Sequence, residues 1–121
     1  FVYGTLMKGE SRHLAIKNAD FEFIGGAFSK GKLLNLNDYP GLIFDDKKYV
    51  SGELYQCDNI SKRLSEIDQI EGFYGYQYDG SLFNRVILKV ELKGEFIWSW
   101  AYFFNGKDGS EIPSGNWRER D

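Results

Sequence analysis

The sequence is poor in the residues that most often carry metal, redox and nucleophile chemistry. It has one cysteine, Cys57, and one histidine, His13, among 121 residues. A single cysteine permits no internal disulfide and fits a reducing, cytoplasmic setting. A histidine and a cysteine far apart in the chain do not make a zinc cluster of the usual spacing. The acidic residues form no calcium-loop pattern, and no serine sits in a nucleophile elbow that could use His13. Gly-rich phosphate loops and dinucleotide fingerprints are missing too. No cofactor and no metal is therefore expected. No apolar run reaches the roughly 18–20 residues of a membrane span. Phe1-Val2-Tyr3 lacks the basic and long apolar regions of a signal peptide. Basic residues are scattered and the net charge is -3, which argues against a nucleic-acid surface. Neither a membrane nor a nucleic acid is expected as a partner, and the sequence leaves the oligomeric state open.

What the chain does have is apolar and aromatic side chains, 42% and 17% of the residues. That is enough for one core, so residues 1–121 read as a single domain. Most of the rings are expected to pack in that core, and Cys57 reads as a small buried hydrophobe.

The chain opens on an apolar strand end, Phe1 to Tyr3, followed at once by Gly4-Thr5-Leu6. Residues 8–18 read as a loop into a short helix whose inner face is Leu14 and Ala15. Residues 21–36 read as two strands or one bent strand, interrupted by glycines. Tyr39-Pro40-Gly41 reads as a turn. Residues 49–55 alternate as a strand, with Val50, Gly52 and Leu54 on one face and Tyr49, Ser51, Glu53 and Tyr55 on the other. Ile60, Leu64, Ile67 and Ile70 recur at helical spacing, with Asp58 or Asn59 to cap the start and Gly72 to end the helix. Residues 73–80 form a Tyr/Gly-rich loop. Residues 83–92 and 95–104 form a hairpin about Lys93-Gly94, and 105–121 is a polar tail. Strands, one helix, then strands predict an α+β fold: a small mixed β-barrel with peripheral helices, and no alternating βα architecture.

Two features could carry chemistry. Gly4-Thr5-Leu6 follows a strand, where glycine permits close approach of a ligand and successive N–H groups can hold an anion. As an isolated signal it is weak, since a glycine after a strand is usually just a turn. The other is Asp68-Gln69-Ile70-Glu71-Gly72. Glu71 follows Leu64 by seven and Ile67 by four, so it shares their inward face at the C-terminal end of the helix. Burial and the negative helix end both disfavour its charge and raise its pKa toward the range useful for proton transfer. A solvated acid on a frayed turn, or a partner for Arg85 or Arg118, is the competing reading.

In these residues the sequence resembles the γ-glutamylcyclotransferase-like family. The marks are Phe1-Val2-Tyr3-Gly4-Thr5-Leu6, Tyr39-Pro40-Gly41-Leu42, Val50-Ser51-Gly52-Glu53-Leu54-Tyr55, Leu64-Ser65-Glu66-Ile67-Asp68-Gln69-Ile70-Glu71-Gly72, Phe83-Asn84-Arg85-Val86 and Ser114-Gly115-Asn116-Trp117. Each is short, and their order spans nearly the whole chain. The resemblance implies the family's compact barrel, with a cavity beside the first strand's loop. It implies Glu71 as the catalytic acid/base, and Tyr3, Gly4, Thr5 and Leu6 as the residues holding a small-molecule γ-glutamyl substrate, with Tyr39 and Phe83 also at the substrate. The implied reaction is attack of the substrate's own α-amine on its γ-carbonyl, giving 5-oxoproline and a free amine. Phe83 stands where the family often has Tyr. Another tyrosine common in the following strand falls near Phe104, with Tyr102 able to compensate. These departures keep two alternatives open: a pocket that binds a small carboxylate without turnover, and removal of a γ-glutamyl protecting group from a specialised metabolite. Phe73, Tyr74, Tyr76 and Tyr78 are the expected contact surface for the leaving amine. Arg85 is expected in a salt bridge or on the sheet surface, and Trp117 in packing or at the pocket wall.

Overall fold

A computed structural model describes residues 1–76 and 78–120; Gln77 and Asp121 lie outside the described residues. Strands dominate, as the aromatic and β-branched content demands. The elements run α1 (Leu14–Lys17), β1 (Glu22–Lys30), β2 (Lys32–Asn35), β3 (Pro40–Ile43), β4 (Tyr49–Gln56), α2 (Ile60–Glu71), β5 (Phe83–Leu92), β6 (Glu95–Phe104) and β7 (Ser110–Glu111), ending in a 3-10 turn at Trp117–Glu119. Two sheets form, one ordered β4-β1-β5-β6 and the other β3-β2-β7. All their pairings are antiparallel.

This is the expected α+β class with peripheral helices, but the strands do not close a hydrogen-bonded barrel. The expected N-terminal strand is only an isolated bridge, Val2 to Glu53 of β4. On its other side, the Phe1 nitrogen donates to the Trp100 carbonyl of β6 at 2.9 Å. Residues 1 and 2 thus lie between the outer strands of the four-stranded sheet and draw its edges together. Phe1, Tyr3, Leu33, Leu42, Val50, Leu54, Val90 and Trp117 are buried in the core this encloses. Trp117 packs there and not at the site.

The 21–36 region is two strands broken at Gly31, with a register shift in β1 between Phe23 and Gly25. The β5–β6 hairpin forms as expected, Leu92 facing Glu95 across Lys93-Gly94. Tyr39-Pro40-Gly41 is not the turn its composition suggests. Pro40 opens β3 on the edge of its sheet and pairs with Asn35, a place where the missing N–H costs nothing. The turn lies just before it: the Leu36 N–H donates to the Tyr39 carbonyl at 3.0 Å, and the Asn37 N–H to Asn35 Oδ1 at 2.8 Å. In α1 the inner residue is Ile16, while Leu14 is exposed. No helix among the described residues is long and apolar enough to cross a membrane.

Helix α2 buries Leu64 and Ile67. Ile70 is exposed, so the inward stripe at this end passes through Ile67 to Glu71 and Ile70 borders it. Asn59 occupies the N-cap position without a side-chain cap bond. Gly72 ends the helix in the left-handed region, φ 67°, which costs glycine no steric strain. The Phe73 N–H then returns to the Asp68 carbonyl at 2.9 Å, turning the chain sharply after Glu71.

Candidate active site

The last turn of α2 is held from the side by β5 and β6. Asp68 accepts from Arg85 Nη1 at 2.7 Å and from the Tyr102 hydroxyl at 2.5 Å. Arg85 in turn lies over the rings of Phe73 and Trp100, 5.3 and 5.1 Å from their centroids. Asp68 therefore takes the charged partner that could have neutralised the carboxylate three residues on. Arg118, the other candidate partner, pairs with Glu53 at 3.4 Å.

Glu71 is left without a hydrogen bond or ion pair among the described residues, on the wall of a pocket. That pocket is bounded by Phe1, Val2, Tyr3, Gly4, Thr5, Leu6, Arg12, Tyr39, Pro40, Glu71, Phe83 and Tyr102. Its cavity volume is about 30 Å³, and it opens to solvent at its mouth. Burial raises the Glu71 carboxyl from 4.5 to about 7, and the Arg12 guanidinium offsets part of that rise. A carboxylate in this range exchanges protons readily near neutral pH.

The buried segment Tyr3, Gly4, Thr5 and Leu6 borders the same pocket. Its carbonyls are tied inward: Gly4 O accepts from the Met7 N–H at 3.0 Å, Thr5 O from the Arg12 N–H at 2.8 Å, and Leu6 O pairs with His13 Nδ1 at 2.9 Å. Its N–H groups have no such partners. Among the described residues nothing accepts from the N–H of Tyr3, Gly4, Thr5 or Leu6. Buried N–H groups are rarely left unpaired, so a run of them at a pocket is a ready anion site. Gly4 is needed for packing as well: a Cβ there would stand 2.5 Å from Pro40 Cγ.

The Tyr3 hydroxyl donates to the Tyr102 carbonyl at 2.7 Å and accepts from the Leu42 N–H at 3.2 Å. Burial, and secondarily the charge of Glu71, pushes its pKa well above the usual phenol value. That hydroxyl fastens the loop to β6 and β3, leaving the backbone as the part of Tyr3 turned to chemistry. At the mouth, Tyr39 packs on Phe83 with ring centroids 6.0 Å apart, and Phe83 on Phe104 at 5.7 Å.

Glu71, expected as the acid/base, and Tyr3, Gly4, Thr5, Leu6, Tyr39 and Phe83, expected at the substrate, border one pocket. Phe104 stands behind Phe83. Tyr102 is at the wall, but its hydroxyl is committed to Asp68. Of the surface expected to meet the leaving amine, Phe73 is buried and Tyr74, Tyr76 and Tyr78 are exposed; none of the four borders this pocket. Arg12 and Pro40 border the pocket without having been foreseen; Tyr102, expected to be able to compensate for Phe104, borders it too. Arg12 sits in a loop with no periodicity to mark it, and Tyr102 reads locally as one more strand aromatic. Among the described residues no group of three His, Cys, Asp or Glu side chains is placed to hold a metal ion.

Comparison with known proteins matches residues 1–119 to the family described as γ-glutamyl cyclotransferase, AIG2-like. The chain is similar to the γ-L-glutamyl-butirosin B γ-glutamyl cyclotransferase of Niallia circulans, 30% identical over 119 residues that make up 98% of this chain and 74% of that protein. A putative γ-glutamylcyclotransferase of Methanocaldococcus jannaschii is 32% identical over 98% of this chain and 94% of its own. The crystal structure of YkqA from Bacillus subtilis superposes with a TM-score of 0.76 at 30% identity; the match takes in 98% of this chain but only 39% of YkqA.

Proposed function

The chain belongs to the γ-glutamyl cyclotransferase, AIG2-like family, and we propose that it converts a γ-glutamyl amide into 5-oxoproline and a free amine, with Glu71 carrying the proton. The observation that supports this most directly is a half-buried, unpaired carboxyl near neutral pKa that shares a pocket with a run of unused backbone N–H groups.

The substrate brings its own nucleophile. Its α-ammonium loses one proton to water, and the free amine attacks the γ-carbonyl carbon as a C–N bond forms. Glu71 accepts a second proton from that nitrogen. It returns the proton to the departing nitrogen as the original amide C–N bond breaks, and the released amine takes up a proton from water. Holding the glutamyl chain folded makes the ring closure effectively unimolecular. The N–H run from Tyr3 to Leu6 is suited to the glutamyl carboxylate and to the oxyanion that develops at the carbonyl. The relative from Niallia circulans is named for cyclotransfer from a γ-glutamyl compound, which supports the reaction class for this chain without specifying its leaving amine.

The test is incubation with a panel of γ-glutamyl dipeptides and γ-glutamyl amines, following 5-oxoproline. Wild type is expected to release it from at least one member. Glu71→Gln, which cannot accept the proton, is expected to lose about 10²- to 10⁴-fold in rate. Because the base must be ionised, kcat/KM of the wild type should fall as pH drops through about 7. Ligand binding with no turnover at high enzyme concentration would sink the reading in favour of a binding pocket.

A further inference from the structure

We infer that Arg12 selects γ-glutamyl compounds whose leaving amine bears a carboxylate, that is, γ-glutamyl-α-amino acids over γ-glutamyl amines; this rests on the cyclotransferase reading of the pocket. The argument begins with the arginines. Arg63 pairs with Asp20 and Glu66, Arg85 with Asp68, Arg118 with Glu53 and Arg120 with Glu10. Arg12 has no carboxylate within ion-pair distance among the described residues, and it is the arginine that borders the pocket. Its side chain is exposed, with the guanidinium 5.7 Å above the Tyr39 ring. Stacking of this kind fixes the plane of an arginine while leaving its N–H fork free for a planar anion.

The depth of each group decides which end of the substrate it meets. The unused N–H groups belong to buried residues, and Glu71, half-buried, borders the same pocket. The glutamyl head has to reach both, because its amine and γ-carbonyl must come together there. The leaving group extends outward from the γ-carbonyl, past the mouth where Arg12 and Tyr39 lie. The buried N–H run meets the carboxylate of the head, and the exposed guanidinium meets a second carboxylate at the mouth. A carboxylate on the leaving amine completes Arg12 with a charge-assisted, fork-shaped contact. A cationic amine meets a like charge at the same place.

The experiment compares γ-glutamylalanine with γ-glutamylethylamide, which differ by that single carboxylate. Their Kd values are measured by calorimetry in Glu71→Gln, where turnover is slow, and again in Glu71→Gln with Arg12→Gln or Arg12→Lys. γ-Glutamylalanine is expected to bind about tenfold more tightly. Arg12→Gln should bring the ratio to about one, and Arg12→Lys should keep part of it. The exposed side chain makes these substitutions compatible with the fold. A ratio unchanged by Arg12→Gln overturns the inference. Equal weakening of both ligands also overturns it, since Arg12 would then serve the glutamyl head. If neither compound binds, the inference falls, while the cyclotransferase reading is decided by the panel of γ-glutamyl substrates. If the preference is found but wild type makes no 5-oxoproline from either, only the cyclotransferase reading falls.

Discussion

Two glutamates are withdrawn from water in this molecule, Glu53 fully and Glu71 in part, and they are treated in opposite ways. Glu53, midway along β4, accepts from the Lys8 N–H at 2.8 Å, from the Tyr55 hydroxyl at 3.1 Å and from Arg118 Nη2 at 3.4 Å. Glu71, at the end of α2, has none of this among the described residues, although an arginine and a tyrosine hydroxyl bind Asp68 one turn earlier. A buried charge without partners is costly, and folds ordinarily pair it or neutralise it. The Glu53 region shows that this chain can satisfy a buried carboxylate. The bare one at Glu71 is therefore a property of the pocket, where the partner is expected to arrive with the substrate.

The contrast has a thermodynamic consequence with a definite sign. Glu71 has a folded-state pKa near 7 against an ordinary 4.5. Below about 4.5 the folded and unfolded chains both carry it protonated, and it costs nothing. As pH rises from there to about 7 the unfolded chain ionises first, so stability is lost across that window and stays lost above it. Glu71→Gln removes the ionisation. It is expected to match wild type near pH 4 and to exceed it by roughly 3 kcal/mol near pH 8. Urea unfolding at the two pH values reads this directly. A variant less stable than wild type at pH 8 would mean that Glu71 has a partner after all, and the contrast with Glu53 would collapse.

Glu53→Gln should behave in the opposite sense. The substitution keeps the shape but withdraws the charge from Arg118, weakening the contacts that tie the tail to β4 and to Lys8. A loss of about 1–3 kcal/mol at pH 7 is expected, seen as a lowered Tm. The rate of the remaining folded protein should change little, because Glu53 does not border the pocket. A Glu53→Gln protein that folds as well as wild type would show those contacts to be incidental.

The two carboxylates were not equally readable from sequence. Glu71 falls seven residues after Leu64 and four after Ile67, and helix geometry alone puts the three on one side; Gly72 marks where the helix stops. Glu53 alternates with Gly52 and Leu54, which puts it on the opposite face of the strand and says nothing of its burial. It is buried because Val2 pairs with it and Arg118 and Lys8 close over that face of β4, contacts made by residues distant in the chain. Pro40 shows the same limit: its local composition is that of a turn, but pairing with Asn35 in β2 makes it strand. Local patterns located α2, β4 and the β5–β6 hairpin. The arrival of Arg12 and Tyr102 at the pocket depended on how those elements packed.

The smallest effect tests why Glu71 stays bare. If the anchoring of Asp68 by Tyr102 and Arg85 fixes the last turn of α2, Tyr102→Phe loosens it while leaving the ring and the Arg85 ion pair in place. Looser placement of the acid should lower kcat about tenfold with KM nearly unchanged. Loss of stability alone would not do that to the folded fraction. A second readout separates the two: water admitted beside Glu71 lets its pKa fall back toward 4.5, so the acid limb of the pH–rate profile should move below its wild-type position near 7. An unshifted limb with unchanged kcat would leave the Asp68 contacts as a brace for the fold. The isolation of Glu71 would then follow from the pocket walls themselves, with Tyr102 contributing its ring and not its hydroxyl.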